Sequence, residues 1–202
     1  MKARYGFVGD IHGDSSALRL LLNGICFDQY KQIIFLGDYI DRGPNSREVI
    51  DCLIPLSKDK RFVFLLGNHE ERLLSAIKMH DLGCFIEVGG SATIKSYLPG
   101  ILQGDILRQL IEAMPRKHFN FLKSLQKYYT TADLAAAHIL KQLPKDGRYR
   151  IAGHNIVGTV PVINKKYALI DTGCGVGGRL TFLEWPSLNY LQFSSSDLTA
   201  PK

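Results

Sequence analysis

The sequence predicts an α/β fold, and three observations carry that prediction. Three short apolar runs, "RYGFVG" (4–9), "QIIFLG" (32–37) and "RFVFLLG" (61–67), each stop at a glycine and are too continuous for half-exposed strands. The segments between them carry apolar residues at helical spacing. The last third of the chain breaks into short apolar stretches separated by turn residues. A β-α-β-α-β order of this kind demands parallel strands with right-handed crossovers, and the sheet-rich second half completes one α/β domain over residues 1–202.

The elements follow in order. After the first strand, "SSALRLLLNGI" (15–25) places Leu18, Leu21, Leu22 and Ile25 on one helical face, with Ser15 as its cap and Gly24 near its stop. "SREVIDCLIPL" (46–56) is a second helix, capped by Ser46 and expected to end at Pro55. "HEERLLSAIKMHD" (69–81) is a third. The stretch 84–131 reads as helical and less regular, best at 105–114 and 117–129. Short strands are expected at 133–138, 149–154 and 166–173, and an antiparallel pair at 179–185 and 189–193. The tail "SSSDLTAPK" reads as frayed.

Composition excludes several classes. With 202 residues and 46% hydrophobic content the chain can bury one sizeable core. There is no apolar run of about 18 residues, so no membrane partner is expected, and without a long apolar leader the expected location is cytoplasmic. Cys26, Cys52, Cys84 and Cys174 form no C-x-x-C pair and read as reduced, mostly buried thiols. The net charge is +6, but the basic runs "KDKR" (58–61), "PRKH" (115–118) and "KKY" (165–167) are short and far apart in sequence. No nucleic-acid partner is expected from them; a mild positive field suits anionic substrates such as phosphate esters.

The chemistry sits at the strand ends. "GDIHG" (9–13), "GDYIDRG" (37–43) and "GNHE" (67–70) follow the first three strands, where an open parallel sheet binds its ligands. Neighbouring strands lie about 4.8 Å apart, so Asp10, His12, Asp38 and Asn68 can converge there. Carboxylates, imidazoles and an amide oxygen suit Mn²⁺, Fe²⁺ or Zn²⁺. One carboxylate can bridge two ions about 3.5–4 Å apart. Two ions need further ligands from later strand ends, and His138 and His154 are placed to supply them.

These three motifs, in this order and spacing, resemble the signature of the phosphoprotein (serine/threonine) phosphatase family within the metallophosphoesterase superfamily, above all its small bacterial and phage members. "GGSATIKSY" (89–97), Gly153-His154, "IDTGC" (170–174) and "GGRLTFLE" (177–184) extend the resemblance over nearly the whole chain. It implies a metallophosphoesterase-type β-sandwich flanked by helices and a site for two divalent metal ions, manganese first, iron or zinc as alternatives. One ion falls to Asp10, His12 and Asp38, the other to Asp38, Asn68, His138 and His154, with Asp38 bridging. A metal-bridged hydroxide would attack phosphorus in line. His69 would act as general acid with Asp41 orienting it, and Arg42 and Asn68 would bind the phosphate. The substrate is then a phosphorylated protein or a small phosphoester. Protein phosphatase is the reading the motifs favour, because Asp41 and Glu70 are both present; diadenosine tetraphosphate hydrolase and a weakly active metal-binding scaffold are the alternatives.

Other residues read as structural. Glu70 and Arg72 begin a helix, His80 and His118 read as solvated, Tyr39 and Ile40 as packing or rim, and Cys174 as structural. The chain departs from the family at "AHIL" (137–140), where an alanine precedes His138 and no glycine follows. It also has only a short connector, "ILKQLPKDGRYRIAG", between His138 and His154. The family brings a second phosphate-binding arginine in a longer segment here. Arg148 and Arg150 are not assigned that role, and a more open or slower site is the expectation.

Overall fold

The computed structural model describes residues 3–198. Ten strands form two five-stranded mixed sheets packed face to face with helices outside the first of them, which matches the expected sandwich. The first sheet has β1 (Tyr5–Val8), β2 (Gln32–Phe35) and β3 (Phe62–Phe64) in parallel, and β9 (Leu180–Trp185) and β10 (Tyr190–Phe193) added antiparallel beside β1. In the second, β5 (Leu134–Ala137), β6 (Tyr149–Ala152) and β8 (Tyr167–Leu169) are parallel, with β4 (Tyr128–Thr130) and β7 (Val162–Ile163) antiparallel at its edges.

The unbroken apolar runs now have a reason. Tyr5, Phe7, Ile34 and Val63 face Leu134, Ala136, Ile151 and Ala168 across the sandwich. Their neighbours Val8, Ile33, Phe35, Phe62 and Phe64 point the other way, into the core formed with α1 (Ser15–Gly24), α2 (Ser46–Leu56) and α3 (Asn68–Met79). Both faces of the first sheet are buried, so alternation with polar residues is absent. The rest of the helical cover is α4 (Gly83–Ile86), α5 (Ser91–Tyr97), α6 (Ile106–Ala113) and α7 (Arg116–Lys123).

Several local expectations change. Asp14, not Ser15, caps α1, accepting from the Ala17 N–H at 2.9 Å. Asn45 precedes α2 in the cap position, and Pro55 lies inside its last turn, since the ring removes only its own donor. The expected helix at 117–129 stops at Lys123: Tyr128, Tyr129 and Thr130 are strong strand formers and pair with β5. His118 is not solvated; it is fully buried, 2.8 Å from the Tyr97 hydroxyl and 2.9 Å from Asp51. His80 is the exposed, left-handed end of α3. Of the cysteines only Cys174 is buried; Cys26, in the connection after α1, and Cys84, on the outer side of the short α4, are exposed. The expected frayed tail begins with an ordered turn at Ser195–Leu198, and residues 199–202 lie outside the described residues. Among the described residues, no helix is long and apolar enough to cross a membrane.

Candidate metal centre

Each strand that starts at one end of the sandwich delivers a polar side chain at the other. Asp10 follows β1, Asp38 follows β2, Asn68 follows β3 at the first turn of α3, His138 follows β5 and His154 follows β6. The loops must turn sharply to aim these groups at one point. Seven non-glycine residues among those described have positive φ, and five of them, His12, Asp38, Asp41, Arg42 and His154, belong to this site. Each such conformation costs about 1–2 kcal/mol, and the surrounding structure has to enforce it. Two motif glycines open the space: a Cβ on Gly67 would lie 2.1 Å from Asp38 Oδ1, and one on Gly153 would lie 2.0 Å from Asp10 Oδ1.

The enforcement comes largely from Glu70. This fully buried carboxylate accepts four backbone N–H groups, from Asp38 (3.0 Å) and Gly67 (3.1 Å) on one oxygen, and from Tyr39 (2.8 Å) and Ile40 (3.2 Å) on the other. Burial, and then the Asp38 charge, push its carboxyl up to about 7, while the N–H donors pull it back toward ionisation. Its first-turn position in α3 is as expected, but its task is to clamp the loop that carries Asp38. Glu70→Gln strands two of these donors. It is expected to destabilise the fold by about 2–5 kcal/mol, measured by denaturant unfolding; a loss under about 1 kcal/mol would remove Glu70 as the clamp.

Two donor clusters meet at Asp38. His12, Asp38 and His69 form one, and Asp38, His138 and His154 the other, each with ligand atoms within 4.8 Å of one another. Asp38 Oδ2 lies 3.5 Å from His12 Nε2, 3.7 Å from His69 Nε2 and 3.3 Å from His138 Nε2. Asn68 Oδ1 completes the second cluster, 2.9 Å from His138 Nε2 and 2.8 Å from His154 Nδ1. Asp10 stands just outside the first cluster. Its Oδ2 is 4.0 Å from His12 Nε2, and both its oxygens accept the His154 N–H at 3.0–3.2 Å.

The donors fit a pair of cations. Asp38 Oδ2 and His12 Nε2 are buried and lack a hydrogen-bond partner, a costly arrangement unless something else binds them. His12 donates its Nδ1–H to the Ile40 carbonyl and His138 to the Leu36 carbonyl, both at 3.0 Å, so each presents Nε2 to the cluster. Backbone carbonyls orient metal-binding imidazoles in this way. Burial opposes charge throughout the centre. Asp10 is held well above the usual carboxylate range by burial, then by Asp171 and Asp38 against the pull of His138. Burial also opposes ionisation of Asp38, but His138, His12 and His69 outweigh it and hold Asp38 well below its ordinary value. At His138 burial is overcome by Asp38 and Asp10, which push the imidazole up to about 9.

Beside the clusters, His69 donates its Nδ1–H to Asp41 Oδ2 at 2.7 Å. Asp41 is fixed in turn by its own N–H to Ser46 Oγ (3.0 Å) and by the Thr93 hydroxyl at 2.5 Å. Arg42 is half-buried, has no hydrogen bond or ion pair among the described residues, and is near enough to add to the burial that depresses the imidazoles of His12 and His154.

All nine residues singled out from the sequence are therefore in one place. Thr93 and Asp171 were not singled out, and Glu70 and Ser46 were read only as helix-start residues. Asp171 is fully buried with Oδ2 unpartnered and Oδ1 accepting from Gly173 at 3.0 Å. Its signal was an aspartate just past a short apolar run, the same signal that marks Asp10 and Asp38. Arg148 and Arg150 lie at the opposite end of β6 from His154, so neither reaches the centre.

The chain is similar to several known proteins. A segment of 70 residues is 44% identical to the symmetrical bis(5'-nucleosyl)-tetraphosphatase of Aliivibrio salmonicida, covering 34% of this chain and 25% of that protein. The match thus spans about a quarter of that relative's length. The asymmetrical bis(5'-nucleosyl)-tetraphosphatase PrpE of Oceanobacillus iheyensis is 25% identical over 93% of this chain and 91% of its own. Among solved structures, one provisionally named a diadenosine tetraphosphatase shares the fold with a TM-score of 0.68 at 20% identity, over 94% of this chain and 92% of its own. The family model of calcineurin-like phosphoesterases matches residues 3–154, a span that takes in the donor set from Asp10 to His154, and the chain belongs to that metallophosphoesterase family.

Proposed function

We propose that this phosphoesterase hydrolyses dinucleoside polyphosphates of the diadenosine tetraphosphate type. The observation that carries the chemistry is Asp38 Oδ2, a buried, unpartnered carboxylate oxygen common to two donor clusters. Asp10, His12 and Asp38 would hold one divalent ion, and Asp38, Asn68, His138 and His154 the other; the mixed oxygen and nitrogen donors suit manganese, with iron or zinc as alternatives. Such ions, when bound, supply Lewis acidity and an activated water near neutral pH. Arg42 and Asn68 bind the phosphoryl oxygens; a guanidinium matches two of them with parallel hydrogen bonds. His69 passes a proton to the leaving oxygen, and Asp41 fixes its tautomer and supports its positive charge.

The names of the relatives favour this substrate over a phosphoprotein. So does a cavity of about 280 Å³ next to Asn68 and His138, where Tyr128 and Ile139 offer a nucleoside an apolar wall and Lys127 a charge. The sequence-based preference for protein phosphatase loses half its ground, because Glu70 is occupied with four backbone donors and says nothing about substrate. Asp41 still favours that second reading.

The test compares metal-stripped protein reloaded with Mn²⁺ on diadenosine tetraphosphate, a phosphothreonine peptide and an aryl phosphate. The expected result is metal-dependent turnover, with kcat/KM about tenfold or more higher on the dinucleotide. A higher value on the peptide selects the protein phosphatase, and metal uptake without turnover leaves a scaffold.

A further inference from the structure

A second, larger cavity opens at the other end of the sandwich. Its volume is about 1180 Å³, and it lies where β1, β2, β5 and β6 begin, marked by Tyr5, Gln32, Asp133 and Tyr149. The candidate metal centre follows the far ends of the same four strands, on the order of 15 Å away at about 3.3 Å per residue. The two cavities share no lining residue.

The lining is strongly basic. Lys31, Lys145, Arg148, Arg150, Lys165 and Lys166 face it against a single carboxylate, Asp133, in a chain whose whole net charge is +6. Only Arg148 has an ion-pair partner among the described residues, Asp146 at 2.6 Å. Lys31, Lys145, Lys165 and Lys166 are exposed at the rim, and Arg150 packs over Tyr167 at 5.8 Å. Like charges gathered around a concave surface repel one another and focus a positive field. Four aromatic rings also line it: Tyr129 and Trp185 are half-buried, while Tyr5 and Tyr149 belong to the core between the sheets. Tyr149 and Trp185 are 4.8 Å apart with a 32° tilt, and Tyr5 and Tyr129 are 6.3 Å apart. The Tyr149 hydroxyl donates to the Asn164 carbonyl and the Tyr129 hydroxyl to Gln32, so the rings are held in place.

We propose that this cavity is a second binding site, for a nucleoside polyphosphate. The rim lysines, which have no ion-pair partner among the described residues, match a chain of phosphates, and the half-buried rings of Tyr129 and Trp185 match a base, which stacks on such rings. A volume of about 1180 Å³ accommodates one nucleotide. The site stands independently of the substrate assigned to the metal centre.

Trp185 is the chain's one tryptophan, so its fluorescence reports on this cavity. The Mn²⁺-loaded protein is titrated with β,γ-methylene-ATP, which resists hydrolysis. A saturable change in emission is expected. The double variant Lys165→Glu/Lys166→Glu should raise the midpoint about tenfold or more. The same change of charge at Lys78→Glu/Lys123→Glu, on exposed helix positions that line neither cavity, should move it less than twofold, and both variants should keep their aryl phosphate turnover. Tripolyphosphate and adenosine alone should each bind about tenfold more weakly. No saturable change up to several millimolar, or equal shifts in the two double variants, overturns the proposal. Equal affinity for tripolyphosphate reduces the site to an anion rim and overturns the base contact. Binding of a short single-stranded RNA without binding of the mononucleotide replaces it with a nucleic-acid surface.

Discussion

Asp38→Asn is expected to abolish hydrolysis, with a loss on the order of 10³-fold or more, and to change metal binding from two ions to at most one. The substitution is close to isosteric, so the fold has little reason to fail. Asparagine tolerates the left-handed backbone seen at Asp38, where φ is 53°. Its side-chain oxygen can still accept the His69 N–H, as Asp38 Oδ1 does at 3.1 Å. What changes is Oδ2, the oxygen that faces His12, His69 and His138. An amide nitrogen there has no lone pair to offer a cation and removes the one negative charge common to both clusters. Calorimetric titration with Mn²⁺, alongside turnover of an aryl phosphate, checks both halves. Two ions bound with activity within tenfold of the parent would falsify the shared-carboxylate account.

His69→Asn is expected to lower kcat by about 10²–10⁴, the usual contribution of a positioned general acid. Geometry leaves two jobs open to His69. Its Nε2 is within 3.7 Å of Asp38 Oδ2, close enough to count among the cation donors, while its Nδ1 is tied to Asp41. Leaving-group dependence separates them. A general acid matters most for poor leaving groups, so the variant should lose far more on an alkyl phosphate than on 4-nitrophenyl phosphate, and two Mn²⁺ ions should still bind. An equal loss on both substrates together with a lost ion makes His69 a ligand instead. Asp41→Asn should show a smaller loss of the same pattern. The double variant should be little worse than His69→Asn alone, because Asp41 acts through the imidazole.

The sequence by itself determined the class of fold and most of the centre. Local patterns were sufficient because their physics is local. Apolar runs buried on both faces cannot alternate, helices between them keep their spacing, and glycines followed by Asp or Asn mark where parallel strands release the chain. Asp10, His12, Asp38 and Asn68 were legible on those grounds, and His69, Asp41 and Arg42 only through the family resemblance. His138 and His154 were legible only as strand-end histidines at sites where ligands were still needed.

Tertiary structure decided whatever depends on groups distant in sequence. Tyr128–Thr130 became a strand because β5 was there to pair with it, and His118 was buried because Tyr97 and Asp51 satisfy both its nitrogens. Glu70 looked like a first-turn acid, yet it holds the loop of Asp38 through donors some 30 residues away. The basic residues looked scattered, but Lys31, Lys145, Arg148, Arg150, Lys165 and Lys166 line one cavity. Charge in a sequence is counted along the chain, whereas a field is summed through space, and only the packing of the two sheets brought those cations together.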